Sequence, residues 1–179
     1  MKGIVFTEFL DMVEDKFGIE VVDHIIENSE LESGGVYTAV GTYSHFEMVS
    51  LVTELSKKID IPIGDLLRVY AVHFFDVLLK SYPQFFEKQK TAFGFLASID
   101  NYIHPEVLKL YPDAELPRFD AEIKSDKVMH LKYYSSRKLS DFASGLIQGT
   151  LNHYDEGITM KMESLVDDNS EVLFILEKK

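Results

Sequence analysis

The sequence predicts an α+β fold in which a series of helices precedes strands that flank one further helix. Apolar residues recur at three- and four-residue steps over most of the chain up to Tyr111, whereas they alternate at every second position in several segments after Pro112. The first spacing is typical of amphipathic helices and the second of half-buried strands. A chain of 179 residues is long enough for one domain with two lobes.

Glycine, proline and capping residues divide the first part of the chain into helices. The helix of residues 63–79 is apolar on nearly all sides, which predicts a central position. Residues 28–43 contain three glycines among small polar residues and are predicted to form a loop. A last helix is expected to be capped by Asp100 or Asn101 and to continue to Tyr111. The other predicted helices cover residues 3–17, 21–27, 44–58 and 92–99.

Two β-hairpins with a helix between them are predicted for the second part of the chain. The predicted strands cover residues 116–124, 128–134, 159–165 and 171–177. The helix between the hairpins covers residues 140–153. We therefore expect a single domain with an N-terminal helical lobe of about residues 1–62 and a second lobe of residues 63–179, with the functional site near their junction.

Charge and cysteine content exclude several functional classes. The formal net charge is −12, which argues against binding to nucleic acid or to an anionic membrane, so the expected macromolecular partner is another protein. The chain contains no cysteine, which removes disulfides, thiolate catalysis, iron–sulfur clusters and cysteine-based zinc sites. The start of the sequence carries acidic residues too early for a signal peptide, and no apolar run approaches the length of a bilayer span. A cytoplasmic location is expected.

Tyr133, Ser135 and Arg137 occur at every second position. On an extended segment they would share one face and form an anion clamp, because a guanidinium binds carboxylate or phosphate through two hydrogen bonds and hydroxyl groups can add others. The alternative is that Tyr133 packs in the core while the other two residues are solvated. Composition alone favours this alternative.

His104 stands directly before Pro105, a residue that fits the first turn of a helix. A rigid backbone at this position could hold the imidazole ring ready for a metal ion, although a lone histidine beside proline is usually a capping or surface residue. The sequence offers no convincing catalytic carboxylate pair, no Gly-x-Ser-x-Gly elbow and no phosphate-binding glycine loop. Residue patterns alone therefore lead to a two-lobed domain with an anion clamp as its candidate site.

The motifs that carry a family resemblance follow one another along the whole chain. They are the start Met1-Lys2-Gly3, the run from His104 to Pro112, the turn Leu116-Pro117-Arg118-Phe119 and the motif Tyr133-x-Ser135-x-Arg137. In this order they resemble the haem-nitric oxide/oxygen-binding (H-NOX) domain, which is also the sensor part of soluble guanylate cyclase. The resemblance is to the stand-alone bacterial form of this domain. The resemblance implies a haem b group, iron protoporphyrin IX, buried between the two lobes.

This resemblance assigns a role to each of the residues singled out above. His104 matches the proximal ligand of the haem iron, and Tyr133, Ser135 and Arg137 match the residues that hold the haem propionates. Pro117 matches a proline that presses on the macrocycle and distorts it from planarity. These roles agree with the chemistry of the side chains, since imidazole is a common haem ligand and the propionates are carboxylates.

The resemblance also places six apolar residues on the distal wall, across the iron from His104. They form three pairs, each with a four-residue step that puts both side chains on one helix face. The pairs are Val5 and Phe9, Phe74 and Leu78, and Phe142 and Leu146. Oxygen-binding members carry a tyrosine on the helix that here contains Phe142, so its absence implies binding of nitric oxide and carbon monoxide in preference to oxygen. The alternative for all six residues is ordinary core packing.

The expected function is that of a haem-based nitric oxide sensor without catalytic activity. The resemblance implies that nitric oxide breaks the bond between iron and His104, that the haem relaxes against Pro117, and that the two lobes shift. Because no effector domain follows the second hairpin, a separate signalling partner is expected, such as a histidine kinase or a cyclic-di-GMP enzyme. A haem peroxidase or dioxygenase, and an acidic protein-interaction module without a cofactor, are the alternatives.

Overall fold

The computed structural model describes residues 1–179 and contains seven α-helices and one four-stranded antiparallel sheet. The helices are α1 (Ile4–Phe17), α2 (Ile19–Asn28), α3 (His45–Ile59), α4 (Ile63–Ser81), α5 (Ala92–Ala97), α6 (His104–Leu110) and α7 (Ser140–Tyr154). The strands are β1 (Arg118–Ser125), β2 (Val128–Tyr134), β3 (Ile158–Ser164) and β4 (Glu171–Lys178), in the order β1-β2-β4-β3. The predicted α+β class is confirmed. None of the helices is both long enough and apolar enough to span a bilayer.

Local sequence explains some of the helix ends. Gly18 separates α1 from α2 with a φ of 87°, a value that side chains disfavour. The Ser44 side chain accepts a hydrogen bond from the Phe46 N–H at the start of α3, as its cap position predicts. The predicted cap at Asp100 or Asn101 is wrong. The chain continues from α5 through Ser98 into a π-helical turn, Ile99–Ile103, so both residues lie inside a helical turn.

Two groups of buried side chains form the core. The first is built from α1, α2, α3 and the first part of α4, and the second from the rest of α4, α5, α7 and the sheet. Helix α4 therefore has the central position that its apolar sequence predicts. Because α4 contributes to both groups, a division of the chain into lobes at residues 62 and 63 stays a prediction.

Helices α4 and α7 pack closely because α7 has glycine at the contact. A β-carbon at Gly145 would lie 2.4 Å from the Arg68 carbonyl oxygen, and one at Gly149 would lie 2.6 Å from the Phe75 β-carbon. Any side chain at either position would push the two helices apart. This close contact fixes α7, which carries Phe142 and Leu146, relative to the residues of α4 that face the same cavity.

Candidate functional site

A cavity of about 500 Å³ lies where the two core groups meet, and most of its lining side chains are hydrophobic. This volume falls within the range of about 300–1,000 Å³ that is usual for small-molecule and cofactor sites. The cavity brings together residues that are far apart in the sequence, from Val5 near the start to Thr150 on α7. It is therefore the candidate binding site of the protein.

His104 reaches the cavity from the first position of α6. The π-helical turn before it is closed by hydrogen bonds with five-residue spacing, from the Ile103 N–H to the Ser98 carbonyl at 3.2 Å and from the His104 N–H to the Ile99 carbonyl. Such wide turns are often found at functional sites. Burial lowers the pKa of His104 and the nearby Asp100 opposes this effect, so the imidazole is neutral at pH 7 and can act as a metal ligand.

Asp100 lies directly behind His104. Its Oδ2 accepts a hydrogen bond from the Phe119 N–H at 3.0 Å, and its Oδ1 lies 2.9 Å from the Nδ1 of His104. Oδ1 is buried and receives no well-aligned hydrogen bond, so a rotation of the imidazole would be needed to bring the Nδ1–H onto it. A bond at the other ring nitrogen would fix the ring orientation. This arrangement fits a metal-binding histidine that is supported by a carboxylate.

Tyr133, Ser135 and Arg137 all line the cavity. Tyr133 is buried on β2, and its ring meets that of Phe119 edge-on at 5.5 Å; burial raises the pKa of its hydroxyl, which stays protonated. The Ser135 Oγ accepts a hydrogen bond from the Arg137 N–H at 3.2 Å. The Arg137 guanidinium donates to Glu115 Oε2 at 2.5 Å, which places a carboxylate on it in this structure. The guanidinium is thus accessible to carboxylates.

Strand alternation does not explain how these three residues come together. Strand β2 ends at Tyr134, and Ser135 begins a turn in which the Lys138 N–H donates to the Ser135 carbonyl at 3.3 Å. Ser135 and Arg137 therefore lie beyond the extended segment on which the three side chains would share one face. The turn places Ser135 and Arg137 at the cavity, and the two-residue spacing in the sequence does not indicate that a turn is present.

The segment between α6 and β1 forms another part of the cavity lining and includes Pro117. Asp113 ties this segment to the N-terminal part of the chain. Its carboxylate accepts hydrogen bonds from the Lys2 Nζ at 3.1 Å and from the Thr42 Oγ1 at 2.5 Å. Lys2 and Thr42 also form an isolated β-bridge. The segment that follows the His104 helix is therefore attached to the N-terminal helical region.

Five of the six residues expected on the distal wall line the cavity: Val5, Phe74, Leu78, Phe142 and Leu146. The rings of Phe74 and Phe142 lie 6.0 Å apart. Nearby hydroxyl groups already have partners. The Thr150 hydroxyl donates to the Leu146 carbonyl at 3.0 Å, and one of the hydroxyls of Tyr82 and Tyr111, which lie 2.7 Å from each other, donates to the other. The wall therefore offers an apolar surface to a bound molecule.

The sixth residue, Phe9, does not line the cavity, so this expectation requires correction. Phe9 is fully buried, and its ring lies 5.2 Å from that of Tyr70 in the helical core. Tyr70 comes between Phe9 and the cavity wall, with its ring 5.8 Å from Phe74 and 5.6 Å from Phe142. Its hydroxyl donates to the Val5 carbonyl. Phe9 shares a helix face with Val5 but lies one turn further into the core.

The sequence alone did not assign Asp100, Glu115 or Tyr70 a role in the site. Asp100 stands four residues before His104 and Tyr70 four residues before Phe74, which are spacings that bring side chains together on a helix. These two spacings could have drawn attention to Asp100 and Tyr70. Glu115 lies in a segment without regular structure, and no sequence pattern indicates that it reaches Arg137.

Comparison with known proteins identifies the family. A family model described as haem-NO-binding matches residues 2–162 of the chain. The chain belongs to the H-NOX family. H-NOX domains bind haem, and the cavity of this H-NOX chain fits that group, because it combines a neutral imidazole, a guanidinium accessible to carboxylates and a largely apolar lining.

Solved H-NOX structures resemble the chain over its whole length. The H-NOX protein from K. algicida in the unliganded Fe(II) state is 50% identical, with a TM-score of 0.96; the match covers 100% of this chain and 97% of that chain. The H-NOX protein from S. oneidensis in the Fe(II)NO ligation state is 26% identical, with a TM-score of 0.91; the match covers 100% of this chain and 99% of that chain. Both similarities support the H-NOX fold described above.

A longer relative is the soluble guanylate cyclase gcy-35 of Caenorhabditis elegans. It is 26% identical over 175 residues, which cover 91% of this chain and 24% of the cyclase. The H-NOX chain thus spans about a quarter of that protein.

Proposed function

We propose that this H-NOX protein is a gas sensor that binds nitric oxide and carbon monoxide at ferrous haem b, with little or no binding of oxygen. The observation that carries the proposal is that one cavity contains His104, the clamp around Arg137 and an apolar wall. A metal ligand, a carboxylate-binding group and an apolar surface are the features needed to hold a haem and to leave one side of it for a gas molecule.

His104 would bind the iron through Nε2, since its Nδ1 faces Asp100. Arg137 would bind propionate groups with Ser135 and Tyr133 beside it, and Glu115 would leave the guanidinium for this purpose. Pro117 would press on the macrocycle from the segment before β1. When bound, the haem supplies a ferrous iron with one coordination position for a diatomic gas.

The apolar wall supports selectivity for nitric oxide and carbon monoxide. Oxygen acquires partial negative charge when it binds ferrous haem and gains from a hydrogen-bond donor, whereas nitric oxide binds tightly without one. Val5, Phe74 and Phe142 provide no donor, and the Thr150 hydroxyl already donates to a backbone carbonyl. Oxygen binding would leave the charge unsatisfied in an environment of low polarity.

Signalling would begin when nitric oxide causes His104 to leave the iron. Helix α6 would then be free to shift, and the segment after it is attached through Asp113 to Lys2 and Thr42. The movement would reach the N-terminal helical lobe, which we place at about residues 1–62, and move it against the lobe of residues 63–179. Such a two-state change can bias the activity of a partner.

We propose that the partner is a separate signalling protein such as a histidine kinase or a cyclic-di-GMP enzyme, and that the H-NOX chain has no catalytic activity of its own. A peroxidase or dioxygenase needs a distal acid–base group, and the side chains of Phe74, Phe142 and Leu146 cannot act in this way. The expected cytoplasmic location stays a prediction.

A His104→Gly variant tests the ligand assignment. Absorption spectra of the ferrous wild-type protein and the variant should differ in axial coordination, and added imidazole should restore the wild-type spectrum by replacing the lost side chain. His153→Gly is a control, because His153 is exposed and does not line the cavity. The same axial coordination in wild type and in His104→Gly would overturn the assignment.

A further inference from the structure

We infer that Asp100 is a positioning residue that orients His104 through its Nδ1–H and thereby determines how readily His104 leaves the haem iron. The inference rests on the proposed function, because it concerns the bond that starts the signal. It adds to that function a residue outside the iron ligand, the propionate clamp and the gas-binding wall.

The carboxylate of Asp100 is held through one of its oxygen atoms, Oδ2. Oδ2 accepts the hydrogen bond from the Phe119 N–H at 3.0 Å, and Phe119 is paired with Tyr133 in the antiparallel ladder of β1 and β2. The carboxylate is thereby attached to the sheet. Its other oxygen then faces His104, whose Nδ1 lies 2.9 Å away. The position of the Asp100 carboxylate relative to the imidazole of His104 is therefore determined by the sheet as well as by the helical turn.

The pairing of Asp100 with His104 spans the π-helical turn. Asp100 lies inside Ile99–Ile103 and His104 follows directly, so the two side chains are four residues apart in a turn that is wider than an α-helix. Side chains at this spacing lie one above the other on the same face. Both are largely shielded from solvent, with side-chain exposures of 29% for Asp100 and 17% for His104. A contact in such surroundings is weakly screened by water.

The Oδ1 atom of Asp100 is a buried acceptor without a well-aligned donor. A buried acceptor of this kind costs free energy until a donor reaches it. Among the ion pairs of the chain, Asp100 takes part only in the one with His104, so no lysine or arginine neutralises its carboxylate. The Nδ1 of His104 lies 2.9 Å from this oxygen, and its N–H becomes aligned when the ring turns towards Oδ1.

The chemical effect follows from the two nitrogen atoms of the imidazole. A hydrogen bond from Nδ1–H to a carboxylate selects the tautomer with a free lone pair on Nε2 and increases the basicity of that nitrogen. A more basic Nε2 forms a stronger bond to iron. Asp100 therefore opposes the loss of His104 when nitric oxide binds, and it returns the ring to the correct orientation when the gas leaves.

Asp100→Asn and Asp100→Ala variants test the inference in the haem-loaded protein. Asparagine retains an acceptor for the Phe119 N–H but lacks the charge, whereas alanine removes both interactions. We expect the iron–histidine stretching frequency of the ferrous protein, measured by resonance Raman spectroscopy, to be lower in Asp100→Asn than in the wild type. It should be lower still in Asp100→Ala. The ratio of five- to six-coordinate nitrosyl complex should rise by about 10–100-fold, in proportion to the loss of metal affinity that usually follows removal of such a supporting residue.

Asp120→Asn is the matched control, since Asp120 is an exposed carboxylate on β1 one residue after Phe119. It removes a carboxylate charge from β1, the strand to which Asp100 is attached through Phe119, and both spectroscopic values should stay at those of the wild type. A change of equal size in Asp120→Asn would show that overall charge, and not Asp100, controls the bond. Such a result would overturn the inference.

A second measurement does not require haem. In the protein without haem, 15N NMR spectra of the histidine side chains report which nitrogen of His104 carries the proton. We expect a predominant Nδ1–H tautomer in the wild type and a mixture in Asp100→Asn. Equal tautomer populations in the two proteins, or unchanged iron–histidine and nitrosyl spectra, would overturn the role of Asp100. A wild-type protein that fails to bind haem would instead overturn the proposed function.

Discussion

The Arg137 guanidinium donates a hydrogen bond to the Glu115 carboxylate at 2.5 Å, and both residues line the cavity. Arg137 is largely shielded, with a side-chain exposure of 17%, whereas Glu115 is 81% exposed. Glu115 thus occupies the group that we propose for the propionates, but it can leave into solvent at little cost. The two carboxylates, from Glu115 and from the haem, compete for one guanidinium.

This competition predicts that Glu115→Gln strengthens haem binding. The variant removes the negative charge that holds Arg137, so the dissociation constant of haem should fall by about 2–5-fold, in keeping with the small energy of exposed ion pairs. Haem titration of the protein without haem measures this value. Glu122→Gln is a suitable control because Glu122 is an exposed residue of β1 that does not line the cavity.

Arg137→Lys should weaken haem binding by about tenfold or more. Lysine keeps the positive charge but lacks the planar fork that binds a carboxylate through two hydrogen bonds. Lys138→Ala changes the neighbouring residue, whose Nζ pairs with Asp168 and not with a cavity residue, and should leave haem binding unchanged. Equal haem affinity in Arg137→Lys and wild type would contradict the propionate assignment.

Introducing a hydroxyl into the distal wall should create oxygen binding. In Phe142→Tyr the new donor can stabilise oxygen by about 1–2 kcal/mol, a gain of roughly 5–30-fold in affinity. Phe9→Tyr is the matched control, because Phe9 lies behind Tyr70 and away from the cavity. Oxygen titration of both ferrous proteins checks this prediction, and equal gains in the two variants would refute the arrangement of the wall.

Tyr70→Phe should destabilise the protein by about 1–3 kcal/mol. The Tyr70 hydroxyl donates to the Val5 carbonyl, and its removal leaves a partly buried acceptor without this partner. Urea unfolding measures the change in the free energy of unfolding. The matched control is Tyr134→Phe, since Tyr134 lies on β2 outside the cavity and its ring contacts the Arg118 guanidinium without a hydroxyl hydrogen bond.

Acid should remove the contribution of Glu156 to stability. This carboxylate accepts hydrogen bonds from the Lys178 Nζ and from the Ala92 N–H at the start of α5, both at 2.7 Å, and these donors lower its pKa below 4.5. A depressed pKa means that the stabilisation is complete above pH 4.5 and is lost as the pH falls through the folded-state value.

Glu156→Gln should therefore reduce the free energy of unfolding by about 1 kcal/mol at pH 7 and by less at pH 3. Urea unfolding at the two pH values measures the difference. Glu163→Gln, which changes an exposed residue of β3, provides the control. A loss of stability in Glu156→Gln that is the same at both pH values would contradict the charge-based explanation.

The fold could be predicted because periodicity and turn residues are local signals. The apolar stripe of α4, the cap at Ser44 and the alternation in β2 each depend on a few neighbouring residues. The continuation of α5 into a π-helical turn is different. It contains a five-residue hydrogen bond from the Ile103 N–H to the Ser98 carbonyl, and its residue Asp100 accepts a hydrogen bond from the Phe119 N–H, which comes from another element.

The candidate site could be predicted only in part for a similar reason. The motif residues His104 and Arg137 stand out in the sequence, and the structure places both at one cavity. The position of Phe9 could not be derived from α1 alone, because Tyr70 on α4 decides which residues of α1 reach the cavity wall. Contacts between distant segments carry this information, and spacing within one helix does not.

The most direct test of the central claim is an absorption spectrum of the ferrous, haem-loaded protein recorded without oxygen, then after exposure to air, and then after addition of nitric oxide. The proposed sensor should keep its unliganded spectrum in air, apart from slow oxidation, and should change to a nitrosyl spectrum when nitric oxide is added. A stable oxygen complex in air would contradict selectivity by the apolar wall, and no spectral change with nitric oxide would contradict the sensor function itself.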